Sequence, residues 1–151
     1  MINFHRVLRS PSADRNVLLQ ALLLLPITFI ALRTLGFRRW QAILAKLVPS
    51  QGRAERLPSP LECARRVARM VQAASEHGLR KATCLERAQV LWWFLQRRGM
   101  PASLRIGVRK SGAEFEAHVW VDLDGMVLND NIYRDFLPFQ EDVAIAHRAH
   151  R

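Results

Sequence analysis

Cys84, His118 and Asp130 are residues of the types that thiol-based nucleophilic catalysis requires, and they occur in this order along the chain. A thiolate can attack a carbonyl carbon and form a thioester. An imidazole can take the thiol proton and later protonate the leaving amine, while a carboxylate fixes the imidazole tautomer. Each residue alone is more typical of a structural role, as a buried cysteine, a strand histidine or a turn aspartate. Together they predict a cysteine-dependent enzyme if the fold brings them to one place.

The residues around Cys84 carry a helix-start signal. Thr83 can cap a helix, and Glu86, three residues later, can complete a capping box. An apolar run follows, and a Gly-x-Pro sequence ends the pattern, which predicts a helix over 84–98. The thiol then lies in the first helical turn, where the helix dipole favours a thiolate and free backbone N–H groups can hold an oxyanion.

A second helix-start signal precedes this helix. Ser59 can cap, Pro60 suits the first helical position, and Glu62 can complete another capping box. Apolar residues at helical spacing predict a helix over 59–77, with a glycine as its stop. Cys63 falls inside this helix and is predicted to be a small buried apolar residue.

The remaining chain reads as an antiparallel sheet. Alternating apolar residues predict strands over 102–110 and 114–123, and Asp124-Gly125 is a hairpin turn signal before a return strand over 126–130. Helices packed on such a sheet give an α+β fold.

The hairpin turn decides which acidic residue accompanies His118. A two-residue turn directs Asp130 to the opposite face of the sheet, whereas a three-residue connection places Asp130 directly opposite His118. The sequence leaves both registers open. If the first holds, Asp122 and Asp124 are the reserve candidates for the acid that orients the imidazole.

The positive charge lies mainly in the first third of the chain. Residues 1–58 carry nine basic and two acidic side chains, whereas residues 59–151 carry fourteen and eleven, which together give the net charge of +10. We expect these ranges to be a helical, basic, leucine-rich segment and a catalytic domain. An excess of cations is typical of proteins that bind nucleic acids, anionic membranes or acidic partners.

The basic segment contains an apolar run over 17–32. It is shorter than the roughly 20 residues of a spanning helix, and no small-residue cleavage site follows it. Pro26 is predicted to kink or divide it. An amphipathic stretch follows and ends at a connector over 49–60. We expect the segment to pack on the domain or on a partner protein, with attachment of residues 17–48 to a membrane surface as the alternative.

Other classes of protein fit less well. Two cysteines cannot form a disulfide scaffold, which favours a reduced, cytoplasmic protein. His147 and His150 have no set of partner ligands, so neither a metal nor another cofactor is predicted. No nucleic-acid-binding motif is present.

Two longer stretches resemble a known family. CLERAQVLWWFLQRRGMPASLRIGVRK (84–110) and AHVWVDLDGMVLND (117–130) resemble the leader peptidases of lasso-peptide biosynthesis, the transglutaminase-like B proteins. The resemblance implies a papain/transglutaminase-like fold and a catalytic triad of Cys84, His118 and Asp130. These enzymes remove the leader from a ribosomally made precursor peptide.

The resemblance also implies partners. In split systems a separate leader-recognition protein delivers the precursor, and an ATP-dependent cyclase resembling asparagine synthetase closes the macrolactam ring. The chain is too short to add the recognition half, so we expect the split form. The family usually has alanine after the catalytic histidine, where this chain has Val119.

Arg105, Arg109 and Trp120 are the predicted substrate contacts. Two alternatives remain open at this point. One is transfer of the acyl group to an amine, which passes through the same thioester. The other is a non-enzymatic basic domain that binds a membrane or a partner.

Overall fold

The computed structural model describes residues 12–48, 59–111, 114–129 and 136–138. Within these ranges the chain forms helices and then strands. The elements are α1 (Ser12–Thr34), α2 (Phe37–Lys46), α3 (Pro60–His77), α4 (Cys84–Gln96), β1 (Ser103–Ser111), β2 (Glu114–Leu123), β3 (Met126–Val127) and β4 (Leu137–Pro138). The strands form one antiparallel sheet in the order β3-β2-β1-β4. The predicted α+β fold is confirmed.

Helix α4 joins the helices to the sheet. It contacts α1 and α3 as well as β1 and β2. A single buried apolar cluster, which we call the helical core, contains residues of every helix and of β1 and β2, among them Leu18, Leu44, Val71, Leu91, Phe94 and Val121. The two N-terminal helices therefore share one core with the region that carries Cys84.

Of the two predicted capping boxes, one forms. The Thr83 side chain accepts a hydrogen bond from the Glu86 N–H (3.4 Å), and the Glu86 carboxylate accepts one from the Thr83 N–H (3.1 Å). The box predicted at Ser59 is wrong, because the Ser59 side chain makes no capping hydrogen bond. The backbone ψ is 92° at Ser59 and 165° at Thr83. The Ser59 hydroxyl is therefore not directed toward the first turn of α3 as the Thr83 hydroxyl is toward that of α4.

The helix following each start signal agrees with the prediction. The helix predicted over 59–77 is observed as α3, and the one over 84–98 as α4, which ends two residues earlier at Gln96. Gly78 ends α3 with a φ of −75°, outside the left-handed region. Glycine is required at this position for steric reasons, because a Cβ atom there would lie 2.7 Å from the Ala74 carbonyl oxygen.

Helix α1 runs without interruption through Pro26, so the predicted division of the apolar run is wrong. A proline inside a helix removes one hydrogen bond and costs about 3 kcal/mol. Leu25 and Thr28, on either side of it, are 6% and 0% exposed. Packing of this part of α1 into the protein offsets the local cost.

The amphipathic stretch after α1 is confirmed as helix α2. Trp40, Gln41 and Leu44 are buried, whereas Arg38 and Arg39 are exposed. Such a pattern is expected of a helix that packs one face on a core.

The hairpin adopts the two-residue turn. Leu123 pairs with Met126, and Asp124 and Gly125 have φ values of 51° and 81°, as a type I′ turn requires. The return strand β3 is shorter than predicted. The Leu128 N–H still donates to the Val121 carbonyl oxygen, but the Val121 N–H donates to the Asn129 side-chain Oδ1 at 2.7 Å instead of to a backbone carbonyl of the return strand. Strand β4, which pairs with β1, was not predicted.

Candidate active site

Cys84 is the first residue of α4. It is half-buried, has a free thiol and borders the helical core. The first backbone hydrogen bond of the helix runs from the Arg87 N–H to the Thr83 carbonyl oxygen (3.1 Å). Because the capping box satisfies the N–H groups of Thr83 and Glu86, those of Cys84 and Leu85 are left without an acceptor within the helix. Two N–H groups near the thiol are thus available as donors to an oxyanion.

The first turn of α4 is anchored to α1 through charged side chains. Glu86 is 4% exposed and forms an ion pair with Arg80 in addition to its capping hydrogen bond. The Arg80 guanidinium lies 3.7 Å from the centroid of the Phe29 ring on α1. These contacts fix the turn that carries Cys84. The sequence identified Glu86 as a cap only, and nothing local signalled its pairing with Arg80.

His118 lies on β2 in an aromatic cluster that is separate from the helical core. Its ring is stacked with Trp120 (centroids 6.3 Å apart, planes at 21°) and contacts Phe136 at 5.1 Å. The Arg109 guanidinium lies 4.7 Å from the Phe136 centroid. We call His118, Trp120, Phe136 and Arg109 the sheet-face cluster. Trp120 is 5% exposed and Phe136 8%, so the imidazole contacts two buried aromatic rings.

Gly107 makes room for this cluster. It lies opposite His118 in the β1–β2 register. A Cβ at Gly107 would lie 2.7 Å from the Trp120 ring and 3.0 Å from the Leu137 carbonyl oxygen. The sequence signal for this role is weak, although a glycine inside a strand often marks a close approach of this kind.

The predicted substrate contacts occupy different environments. Arg109 forms an ion pair with Glu116, and Arg105 pairs with Trp120 in the β1–β2 register. The structure therefore brings Arg109 and Trp120 together with His118. The burial of Trp120 favours a role in positioning the imidazole over direct contact with a substrate.

Cys84 and His118 lie on elements that pack against each other, α4 and β2. Along β2, Val119 and Val121 point into the helical core that Cys84 borders, whereas His118 and Trp120 alternate with them and point to the other face of the sheet. The predicted third member of the triad, Asp130, lies outside the described residues.

The reserve candidates for the orienting acid lie at the hairpin. The Asp122 carboxylate accepts a hydrogen bond from the Gly125 N–H (3.0 Å), and Asp124 is itself a turn residue. The observed two-residue turn is the register in which a continued ladder would direct Asp130 away from His118. The last described residue before Asp130 is Asn129, whose side-chain Oδ1 accepts a hydrogen bond from the Val121 N–H.

A metal site is not evident in the parts of the chain that the structure describes, since no three His, Cys, Asp or Glu residues cluster there as ligands would. The chemistry available from the described residues is that of a thiol, an imidazole and backbone N–H groups.

A family model described as the transglutaminase-like superfamily matches residues 26–140. The chain belongs to the transglutaminase-like superfamily. The match begins inside α1 and extends over α2, α3, α4 and the β-sheet. Members of this superfamily are usually cysteine-dependent enzymes. No curated protein and no solved structure matches the chain.

Proposed function

We propose that this transglutaminase-like protein is a cysteine peptidase that removes the leader from a ribosomally made precursor peptide during lasso-peptide maturation. The observation that carries the enzymatic part is Cys84 at the start of α4, next to two N–H groups that have no acceptor within the helix. The sequence resemblance over 84–130 supports the substrate class.

In the proposed reaction the Cys84 thiolate attacks the carbonyl carbon of the scissile peptide bond. A C–S bond forms, the C–N bond breaks, and His118 passes the thiol proton to the leaving amine. A water molecule then attacks the thioester and gives its proton to His118. The C–S bond breaks, His118 returns the proton to the thiol, and the leader leaves with a new carboxylate.

This reaction sets a geometric requirement on His118. A general base must come within about 2.6–3.2 Å of the atom that gives up the proton, or act through one water, and such bonds are often longer without substrate. The sheet-face cluster restrains the imidazole, and in the proposed reaction the Asp130 carboxylate orients it. The proposed reaction therefore requires the imidazole and the thiol to come within this distance when the precursor is bound.

The proposed partners follow from the resemblance. A separate leader-recognition protein presents the precursor to the peptidase in the cytoplasm. The amine released by cleavage is the group that an ATP-dependent cyclase joins to a side-chain carboxylate to close the macrolactam. The peptidase itself requires no cofactor for hydrolysis.

The test is mass spectrometry of a precursor peptide incubated with its recognition protein and the peptidase. We expect two fragments with the native protein and none with Cys84→Ala. Cys63→Ala is the matched control, because it removes the other half-buried thiol, and it should cleave at the native rate. His118→Ala and Asp130→Asn should each reduce the cleavage rate at least about a hundredfold if they act as general base and orienting acid.

Two other outcomes are informative. A product heavier than the precursor, made by the native protein with an added amine, would indicate acyl transfer instead of hydrolysis. An intact peptide with the folded native protein, even after addition of the cyclase and ATP, would contradict the proposed function.

A further inference from the structure

Helix α1 exposes a row of large aliphatic side chains. Leu19, Leu23, Ile27 and Ile30 are 53%, 68%, 51% and 59% exposed. Their spacing of four, four and three residues places them on one face of the helix. We call this row the outer stripe. The other side of α1 belongs to the helical core, where Val17, Leu18, Ala21 and Leu25 are buried.

The apolar surface extends past the end of α1. Leu35, Ile43 and Leu47 are 40%, 38% and 58% exposed, on the turn after α1, on α2 and just beyond it. Scattered exposed apolar residues are normal in proteins, but rows of this kind usually mark a site of interaction.

The charged side chains that follow Asp14 on α1 and α2 are of one sign. Every charged side chain between residues 15 and 48 is basic and exposed: Arg15, Arg33, Arg38, Arg39 and Lys46. The acidic residue that precedes them, Asp14, is paired with Arg66 of α3 at 2.8 Å. This hydrogen bond and charge raise the pKa of the Arg66 guanidinium. The surface thus presents an aliphatic row with cations at both ends.

These features fit one kind of partner best. The cores of protein interfaces are enriched in aromatic residues and methionine, and hot spots in Trp, Tyr and Arg. The outer stripe contains only leucine and isoleucine. An anionic bilayer offers hydrocarbon for aliphatic side chains and negative charge for surrounding cations.

From this combination we infer that α1 binds the surface of an anionic membrane through the outer stripe. The segment Asp14–Thr34 is long and apolar enough to cross a bilayer by length and composition, with 33% of the apolar window buried inside the protein. Crossing would remove Leu18, Ala21 and Leu25 from the helical core. If α1 lies along the membrane surface, that core stays intact. One face of α1 then packs in the helical core while the outer stripe contacts the membrane.

The experiment is co-sedimentation of the full chain with vesicles of equal parts phosphatidylcholine and phosphatidylglycerol, compared with phosphatidylcholine alone. We expect binding to the anionic vesicles that weakens as salt is added. The double variant Leu23→Gln/Ile27→Gln should bind at least about tenfold more weakly, because two aliphatic side chains no longer enter hydrocarbon. Arg38→Gln/Arg39→Gln should bind about fivefold more weakly for each cation removed, which corresponds to about 1 kcal/mol each.

Matched controls remove similar groups elsewhere on the surface. Phe115→Gln replaces a side chain that is 75% exposed on β2, and Arg97→Gln/Lys110→Gln removes two exposed cations outside the N-terminal helices. Both controls should bind as the native protein does. Circular dichroism of each variant shows that it is folded, as expected for substitutions at exposed positions.

Any of three results would overturn the inference: no binding to anionic vesicles, equal binding by the outer-stripe variant and the native protein, or a native dimer in light scattering that Leu23→Gln/Ile27→Gln converts to monomer. The last would show that a second copy covers the stripe. None of these measurements uses a peptide substrate, so the inference can fail while the proposed function stands.

Discussion

At the scale of single residues, the position of the His118 imidazole depends on a missing side chain. Because Gly107 has no Cβ, the Trp120 ring can lie across β1 and stack on His118. We expect Gly107→Ala to destabilise the protein by about 1–3 kcal/mol, since the new methyl group would sit 2.7 Å from that ring. Urea unfolding followed by far-UV circular dichroism measures the change.

A second substitution tests whether the ring is the obstacle. Trp120→Phe shortens the side chain that Gly107→Ala meets, so the alanine should cost less free energy of unfolding in the Phe background. It should still cost something, because the Leu137 carbonyl oxygen also lies close, at 3.0 Å. Equal costs in the two backgrounds would show that the Trp120 ring does not determine the strain.

The residue types of the candidate site could be identified from the sequence, but their mutual arrangement could not. Thr83 and Glu86 predict the helix start that positions Cys84, because a capping box is a local sequence pattern. The Asp124-Gly125 pair is compatible with two hairpin registers, and only the backbone shows that both residues have positive φ. The aromatic contact of His118 with Phe136 joins distant parts of the chain, so no local pattern encodes it.

At the scale of elements, the two helix starts provide a matched pair. Thr83→Ala should lower the free energy of unfolding by about 1 kcal/mol, the usual value of a capping side chain. Ser59→Ala should change it by only a few tenths, because Ser59 makes no capping hydrogen bond. Thr83→Ser should restore most of the loss, and chemical denaturation of the three variants measures the differences. Equal losses from the two alanine variants would contradict the assigned caps.

Helix α2 is attached to α4 by a buried polar contact. The Gln89 side-chain amide donates to the Gln41 side-chain oxygen at 3.1 Å, and the two residues are 0% and 2% exposed. Gln89→Leu leaves the Gln41 oxygen without this donor and should cost about 1–3 kcal/mol. The double variant Gln41→Leu/Gln89→Leu removes both partners, and it should be more stable than either single variant.

A double-mutant cycle from urea unfolding gives the coupling between the two glutamines. Costs that simply add would mean that the amides act independently. In that case the hydrogen bond would not be what fixes α2 on α4.

Which elements could be predicted depended on their length and periodicity. Helices α3 and α4 and strands β1 and β2 have regular apolar patterns over nine residues or more, and all four agree with the prediction apart from shifts at their ends. Strand β4 has only two residues, Leu137 and Pro138, and it forms by antiparallel pairing with the edge of β1. Two residues cannot show a period, so the sequence gives no sign of it.

At the scale of the whole molecule, the N-terminal helices and the rest of the chain share one core. Leu18 of α1 is 1% exposed within it, whereas Leu23 of the same helix is 68% exposed. Leu18→Ala should therefore destabilise the protein by about 2–5 kcal/mol. Leu23→Ala should stay within about 0.5 kcal/mol of the native protein.

Two probes check whether the parts unfold together. Far-UV circular dichroism reports the helices, and tryptophan fluorescence reports Trp40 on α2, Trp92 and Trp93 on α4, and Trp120 on β2. For the native protein and for Leu18→Ala, we expect coincident transitions, as a single cooperative unit requires. Two separated transitions would show that α1 and α2 form an independent unit.

The role of α1 could be predicted only in outline. Its run of leucines is apolar on every side, so helical periodicity could not indicate which face packs inward. The sequence left packing and membrane contact as alternatives. The structure buries one face of α1 in the helical core and leaves the outer stripe exposed, and a pattern with no polar face cannot show that division.

The close fit between Gly107 and Trp120 also bears on how the sequence can change over time. A side chain at position 107 costs less stability once the ring at position 120 has become smaller, so the order of the two substitutions matters. Related chains should therefore have glycine at position 107 wherever they have tryptophan at position 120, and the residues at these two positions should covary. In a relative in which both residues have changed, we expect the histidine equivalent to His118 to be positioned by contact with a different side chain.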